Sequence, residues 1–593
     1  MRTLGRFLIG TLASLGFVML ILLTLTIYVV SKFETRTPRT PDSFVLTVDL
    51  DRALEETNQR PRLTSLRFGN HTGMQDAILA LRRAKDDPRV KAVVATINEQ
   101  KLGLAQAQEV RDAIATIRAA GKPTMVFSET MGEGGGALQT YYLAAGFETI
   151  WVQPSGDVGV AGIGIEQPFL KKTLEKVGLK GAVVKRKEYK SAMENFTDEQ
   201  ISQPNKEALT ALVGGWYDQM VEGIAKDRGL DVAAVKALID KGPLLATEAK
   251  DGKLIDNLGY RDQFQDAVKA KVGEIPNVPL RRYVNIEDWK GRGTPSHTIA
   301  LISAVGEISR GGTDESPFSG DQGIKSAVTA KAIRDAVADK KVEAIVLRID
   351  SPGGSYVASD TIWREVVKAK EKKKPIIASM GNTAASGGYF IAMSADRIFA
   401  SPATVTGSIG VLTGKVVIGG LAEKLDMHWD RITFGESAGM FSSLTDFNPR
   451  ELARLNQLMD AIYADFTTKA AQGRGKPVEE FEKFAHGRVW VGSDAVKNGL
   501  VDELGGLSEA IDYTKTKIGL KPTDLVNIVA YPEQEDSLDA ILKSLSDSDT
   551  PTDILSGVRA LATLGRFAAP MMEAWQGIHT RGPQLRMEPV EVE

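Results

Sequence analysis

"VKAVVATIN" (residues 90–98) returns 252 residues later as "VEAIVLRID" (342–350). Both are unbroken apolar runs rich in β-branched residues, the pattern of a strand buried on both faces. Other stretches repeat with them. "KPTMVFSE" (122–129) and "KPIIASMG" (374–381) keep the same shift, and "YYLAAGFETIWVQP" (141–154) aligns with "YFIAMSADRIFASP" (389–402) at 248. "DVGVAGIGI" (157–165) matches "VTGSIGVLT" (405–413) at 248, and "GKLIDNLG" (252–259) matches "NGLVDELG" (498–505) at 246. The first shortening of the shift falls in the glycine stretch "MGEGGGAL" (131–138), where the first copy is longer. Matches in one order at nearly constant spacing mean two tandem copies of one domain of about 230–250 residues. Within the second copy, "AKAIRDAVADKK" (330–341), "VEAIVLRID", "ASDTIWREVVKAKEKK" (358–373) and "PIIASM" (375–380) alternate helical and strand periods. Such alternation gives βα units, a mainly parallel sheet and an α/β fold class.

Composition narrows the functions. The 593 residues are 43% hydrophobic and 25% charged, with 73 basic and 76 acidic side chains and a net charge of −3. No basic excess is present to hold a polyphosphate backbone, so no nucleic-acid partner is expected. The chain has no cysteine, which excludes disulfides, thiolate metal sites and a cysteine nucleophile. Its histidines, His71, His297, His428, His486 and His579, show no metal-binding spacing, and neither metal nor cofactor is expected.

The run "FLIGTLASLGFVMLILLTLTIYVV" (7–30) is long enough to cross a hydrocarbon core of ~30 Å as a helix. It exceeds a signal-peptide core and lacks a following cleavage site, so an uncleaved anchor is expected after a short segment 1–6. Basic residues flank it on both sides, and charge alone does not orient it. "TRTPRTPDS" (35–43) lies in a spacer, 31–44, that leads to the first repeat, 45–295, and the second, 296–530. Residues 531–593 read as a polar linker, a possible amphipathic helix over 554–578 and a disordered tail.

The two copies differ where chemistry is carried. In "NTAASGGYF" (382–390), Ser386 stands opposite Leu138 of the first copy, and "DSPGGS" (350–355) stands opposite "NEQKLG" (98–103). Paired glycines after a strand allow positive φ and turn backbone N–H groups outward. Two adjacent parallel strands ending in such turns would bring the Gly353 and Gly387 amides together, the geometry of an oxyanion hole. A serine nucleophile needs a base, and no histidine has a fitting context. A lysine serves if burial keeps it neutral. Among many lysines, Lys190 in "EYKSAMENF" (188–196) is one candidate; its counterpart in the second copy is Ala438.

"DSPGGS", "MGNTAASGGYFIA", "TGSIGVL" (406–412), "YKSAMENF" and "GRVWVGSDAVKNGLVDELGG" (487–506) together resemble the bacterial signal peptide peptidase family (SppA, protease IV), in its long, tandem-repeat, membrane-anchored type. The resemblance covers nearly the whole chain. It implies a crotonase/Clp-protease-like fold in each copy and a Ser–Lys dyad shared between them, with Ser386 as nucleophile and Lys190 as general base. It implies oxyanion amides at Gly353 and Gly387, and a homotetramer on the bacterial inner membrane with its catalytic part on the periplasmic side. The implied activity is serine endopeptidase cleavage of spent signal peptides and other unfolded apolar peptides. Asn195 stands where the family pattern has proline. Whether the dyad forms within or between chains stays open at this stage. A crotonase-type acyl-thioester enzyme and an inactive membrane-tethered scaffold are the alternatives.

Overall fold

A computed structural model describes residues 40–56, 72–286, 295–312 and 323–532, and the backbone of 584–586. The expected anchor at 7–30 and helix at 554–578 lie outside the described residues. Among the described residues no helix is long and apolar enough to cross a membrane.

The first repeat is built on β1 (Phe44–Asp49), α1 (Met74–Asp86), β2 (Val90–Thr96), α2 (Leu104–Ala119), β3 (Thr124–Ser128), α3 (Leu138–Ala145) and β4 (Thr149–Val152). After α4 (Lys171–Val177), β5 (Lys180–Lys185) and the long helix α5 (Gln203–Arg228), it ends with β6 (Asn257–Leu258), α6 (Arg261–Val272) and β7 (Asn277–Pro279). Its sheet runs β6-β4-β3-β2-β1-β7, with every pair parallel.

The second repeat contains β8 (Thr298–Val305), α7 (Ser326–Ala338), β9 (Val342–Ser351), β10 (Gly353–Ser355), α8 (Tyr356–Glu371), β11 (Ile376–Ala385), α9 (Gly387–Ala392), β12 (Arg397–Ala400) and β13 (Val405–Gly407). It continues through β14 (Leu412–Val417), α10 (Gly419–Lys424), α11 (Pro449–Gly473), β15 (Val489–Val491), β16 (Glu503–Leu504), α12 (Leu507–Lys517) and β17 (Asn527–Tyr531). Its parallel core runs β16-β12-β11-β9-β8-β17, the strand order of the first repeat. β13 joins the end of β11 and pairs antiparallel with β15. The apolar runs read from the sequence are the central strands, and nearly every residue of β9 is buried. The long helices also correspond. Ser202 accepts from Asn205 N at the start of α5, and Asn448 accepts from Glu451 N at the start of α11; each helix also has proline in its first turn.

The repeats interlock. β5 of the first repeat pairs antiparallel with β14 of the second, from Lys185 opposite Leu412 to Lys180 opposite Val417. α12 of the second repeat lies against β9 and β11 and against α1 of the first. Between them Arg348, 1% exposed, donates from Nε to Glu56 Oε1 at 2.6 Å and from an Nη to Glu109 Oε1 at 2.6 Å. Burial alone would lower the Arg348 pKa, but the two carboxylates from the first repeat raise it above its usual value.

Candidate active site

Ser386 occupies the joint between β11 and α9 with φ 56° and ψ −114°. A non-glycine residue in the left-handed region costs about 1–3 kcal/mol and needs its surroundings to hold it. Ser386 N–H donates to Gly407 O at 2.8 Å, and Ser386 O accepts from Phe390 N at 2.9 Å. The glycines that follow leave no room for a side chain. A Cβ on Gly387 would lie 2.7 Å from Ser359 Oγ and 3.1 Å from Gly354 N, and one on Gly388 would lie 2.6 Å from Ser351 O.

The neighbouring turn has Gly353 at φ 107° and Gly354 at φ 149°, conformations closed to other residues. Gly353 and Gly387 are brought into contact, as the parallel pairing of β9 with β11 leads one to expect. The Gly353 amide donates a 3.2 Å bond to Ser351 Oγ, so a ligand oxygen would have to take over this donor. Behind the turn, Asp350 accepts from Thr383 N at 2.9 Å and ties the end of β9 to β11. Burial, with the Glu56 charge adding to it, pushes the Asp350 pKa up to about 7.

Lys190 comes from the first repeat of the same chain. Beyond β5, Arg186 N–H donates to Val411 O at 2.9 Å and Tyr189 N–H to His486 O at 3.1 Å, which fixes the approach. Lys190 Nζ then reaches Ser386 Oγ at 2.8 Å, Ser408 Oγ at 3.0 Å and Ser408 O at 3.1 Å. Gly410 and Gly487 flank it closely. Their added Cβ atoms would come within 3.2 Å of Lys190 Cδ and 2.6 Å of Lys190 N, respectively. The lysine is 1% exposed and the serine fully buried. Burial, the sole cause acting, lowers the Lys190 pKa to about 7. A neutral amine has two N–H donors and one lone pair. Two donors for Ser408 and a lone pair for the Ser386 hydroxyl proton satisfy this geometry completely.

Ser408 and Arg348 were not singled out from the sequence. Ser408 lies inside the quoted "TGSIGVL", next to Gly407, but its φ of 50° and its aim at Lys190 are tertiary properties. Beside the site, backbone 584–586 forms β18, antiparallel to both β10 and β14. Arg586 pairs with Gly353, Leu585 with Gly354, and Gln584 with both Ser355 and Leu412. The edges of β10 and β14, next to the Gly353 turn, thus take up an extended segment by main-chain pairing.

The two-repeat α/β fold, with a buried serine and lysine in contact, defines a hydrolase of the serine-peptidase class. The chain belongs to peptidase family S49, whose model matches residues 116–273 and 368–521, and it is a serine protease. It is 31% identical over 526 residues to Protease 4 of Salmonella typhi, covering 86% of this chain and 81% of that one. It is 32% identical over 474 residues to the chloroplastic serine protease SPPA of Arabidopsis thaliana, covering 79% and 69%. Protease 4 of Haemophilus influenzae is 28% identical over 494 residues, covering 80% and 78%.

Proposed function

We propose that Ser386 and Lys190 are the catalytic dyad of an endopeptidase that degrades spent signal peptides and other unfolded, apolar peptides. The 2.8 Å contact between a buried lysine and a buried serine carries this function. Neutral Lys190 takes the Ser386 proton as Oγ attacks the peptide carbonyl. The amides of Gly353 and Gly387 hold the oxyanion, with the substrate carbonyl replacing Ser351 Oγ on Gly353. Lys190 then gives its proton to the leaving amine and activates water to release the acyl group from Ser386. The substrate main chain occupies the slot between β10 and β14 as an added strand, which demands an unfolded segment.

The proposed setting is the bacterial inner membrane. A single-pass anchor at 7–30 holds a homotetramer whose catalytic part faces the periplasm, and each repeat has a crotonase/Clp-like fold. The apolar length of 7–30 and the duplicated parallel sheets support this setting. Hydrolysis of apolar signal-sequence peptides by the full chain in detergent is the test. Ser386→Ala and Lys190→Ala should each abolish turnover while circular dichroism stays unchanged. Full activity in either variant refutes the dyad.

A further inference from the structure

Two non-glycine residues face each other across the joint between repeats in the left-handed region: Lys187 at φ 72° and His486 at φ 52°. Each sends its side chain to an acid beside the other. Lys187 Nζ donates to Glu482 Oε1 at 2.6 Å, at the end of the short helix Val478–Glu482. His486 Nδ1 meets Glu188 Oε1 at 2.9 Å, while its Nε2, 3.7 Å from Glu482 Oε1, is beyond hydrogen-bond reach. Glycine adopts such a conformation freely, so a histidine held in it directs attention to the contact its ring makes.

The His486 backbone leads directly into the site. Its carbonyl accepts from Tyr189 N, and the next residue, Gly487, packs against Lys190 N and donates to Ile409 O at 2.8 Å. Arg488 O accepts from Ser408 N at 2.7 Å, and Ser408 in turn receives the Lys190 amine. Residues 486–488 thus bracket both the loop that carries the lysine and the loop that aims it. The charged and titratable groups around the bracket come from four elements. Arg488 pairs with Glu207 of α5 and lies 5.1 Å from the Tyr189 ring, whose hydroxyl donates to Glu207 at 3.0 Å. The Lys187 ammonium lies 5.1 Å from the ring of Tyr463 on α11, whose hydroxyl accepts from His486 N at 3.3 Å. Burial would raise the Glu188 pKa, but its own backbone N–H, His486 and Lys187 bring it below the usual range. The bond from Lys187 does the same for Glu482. Glu188 therefore accepts as a carboxylate near neutral pH, and His486 Nδ1 carries the hydrogen in the neutral and the charged ring alike.

We propose that His486 is a positioning residue for peptide hydrolysis: its bond to Glu188 keeps the Lys190 loop docked on the second repeat while the amine carries a proton. The inference rests on Lys190 as the base. Burial lowers the Lys190 pKa from 10.5 to about 7, so protonation weakens docking of its loop by about 10³-fold. The charged amine pulls toward water, and contacts that do not involve it must hold the loop down. The bond from His486 is such a contact, two residues from the lysine and across the joint. The His486 and Glu188 side chains are 33% and 48% exposed, so their bond is worth about threefold in docking. Its loss lets the protonated loop lift more often, which moves the titration of the base upward by about half a pH unit. At high pH the amine is neutral, the loop stays docked, and the full rate returns.

The test is kcat/KM on an apolar fluorogenic peptide from pH 5 to pH 9.5, with the full chain in detergent. His486→Gly keeps the backbone conformation and removes the ring, Glu188→Ala removes the acceptor, and His486→Asn keeps both a positive φ and a donor. The expected result is an inflection about half a unit higher in His486→Gly and in Glu188→Ala, with a threefold lower rate at pH 6.5 and the wild-type plateau regained at pH 9.5. The double variant should be no worse than either single one, and His486→Asn should keep the wild-type inflection. An inflection unmoved in His486→Gly overturns the positioning role. So does a rate lowered evenly at every pH, which marks a loss of folded protein alone, and so do additive effects in the double variant. Full activity in Lys190→Ala overturns instead the base on which the inference rests, whatever the His486 variants do.

Discussion

The pH dependence of peptide hydrolysis tests the neutral lysine most directly. Lysine ordinarily titrates at 10.5, and burial brings Lys190 down to about 7. With an unshifted pKa, about 3 lysines in 10,000 would be neutral at pH 7; with the lowered one, about half are. That gain in competent enzyme is about 10³-fold, or roughly 4–5 kcal/mol of barrier. The neutral form is the base, so kcat/KM should fall about tenfold per unit below pH 7 and level off above it. Asp350 titrates in the same range for a different reason, since burial raises it. Its ionisation could shift the turn that carries Gly353 and imitate a lysine profile. Asp350→Asn removes that titration while retaining an oxygen to accept from Thr383 N. A fluorogenic apolar peptide assayed between pH 5 and pH 9.5 separates the two. Persistence of the inflection near 7 in Asp350→Asn assigns it to Lys190. A flat wild-type profile or an inflection that vanishes in Asp350→Asn refutes the lysine base, and a rate still rising tenfold per unit at pH 9.5 refutes its lowered pKa.

Three further outcomes follow from named contacts. Ser408→Ala removes one acceptor that aims Lys190, and kcat should fall about three- to tenfold with KM unchanged, the worth of one hydrogen bond, read by steady-state kinetics. Arg348→Met leaves Glu56 and Glu109 buried without their cation and should cost about 3–5 kcal/mol, measured by urea denaturation. Deleting residues 584–593 empties the slot between β10 and β14; if the tail fills it half to nine-tenths of the time, KM should fall about two- to tenfold with kcat unchanged.

The sequence carried the parallel sheets because strands buried on both faces need continuous apolar runs, and duplication showed each run twice. It carried Ser386 and the glycines because a turn with no space for Cβ restricts its residues severely. Lys190 was one candidate among many until the resemblance selected it. A lysine's usefulness here depends on what buries it, and Gly410, Gly487 and Ser408 arrive from elsewhere in the chain. The strand exchange of β5 was illegible for a similar reason. "KGAVVK" has no local sign that its partner lies some 230 residues on, in the other repeat. Arg348 sits inside the run that identified a buried strand, and its charge becomes intelligible only beside Glu56 and Glu109.

Dividing the proposed dyad between repeats makes the proposed chemistry depend on docking. About half of Lys190 is neutral at pH 7 because burial lowers its pKa, and Gly410, Gly487 and Ser408, which pack around it, belong to the second repeat. If β5 separates from β14, water reaches the ammonium and its pKa returns toward 10.5, so the base is lost through protonation as well as distance. The six-pair ladder and the buried Arg348 cluster thus protect the charge state of the base along with its position. A chain still folding, with its repeats apart, carries a protonated lysine and an unpaired serine. On the proposed mechanism it cannot cleave the unfolded segments of its own kind that surround it, and activity appears only when the interface that neutralises Lys190 has closed.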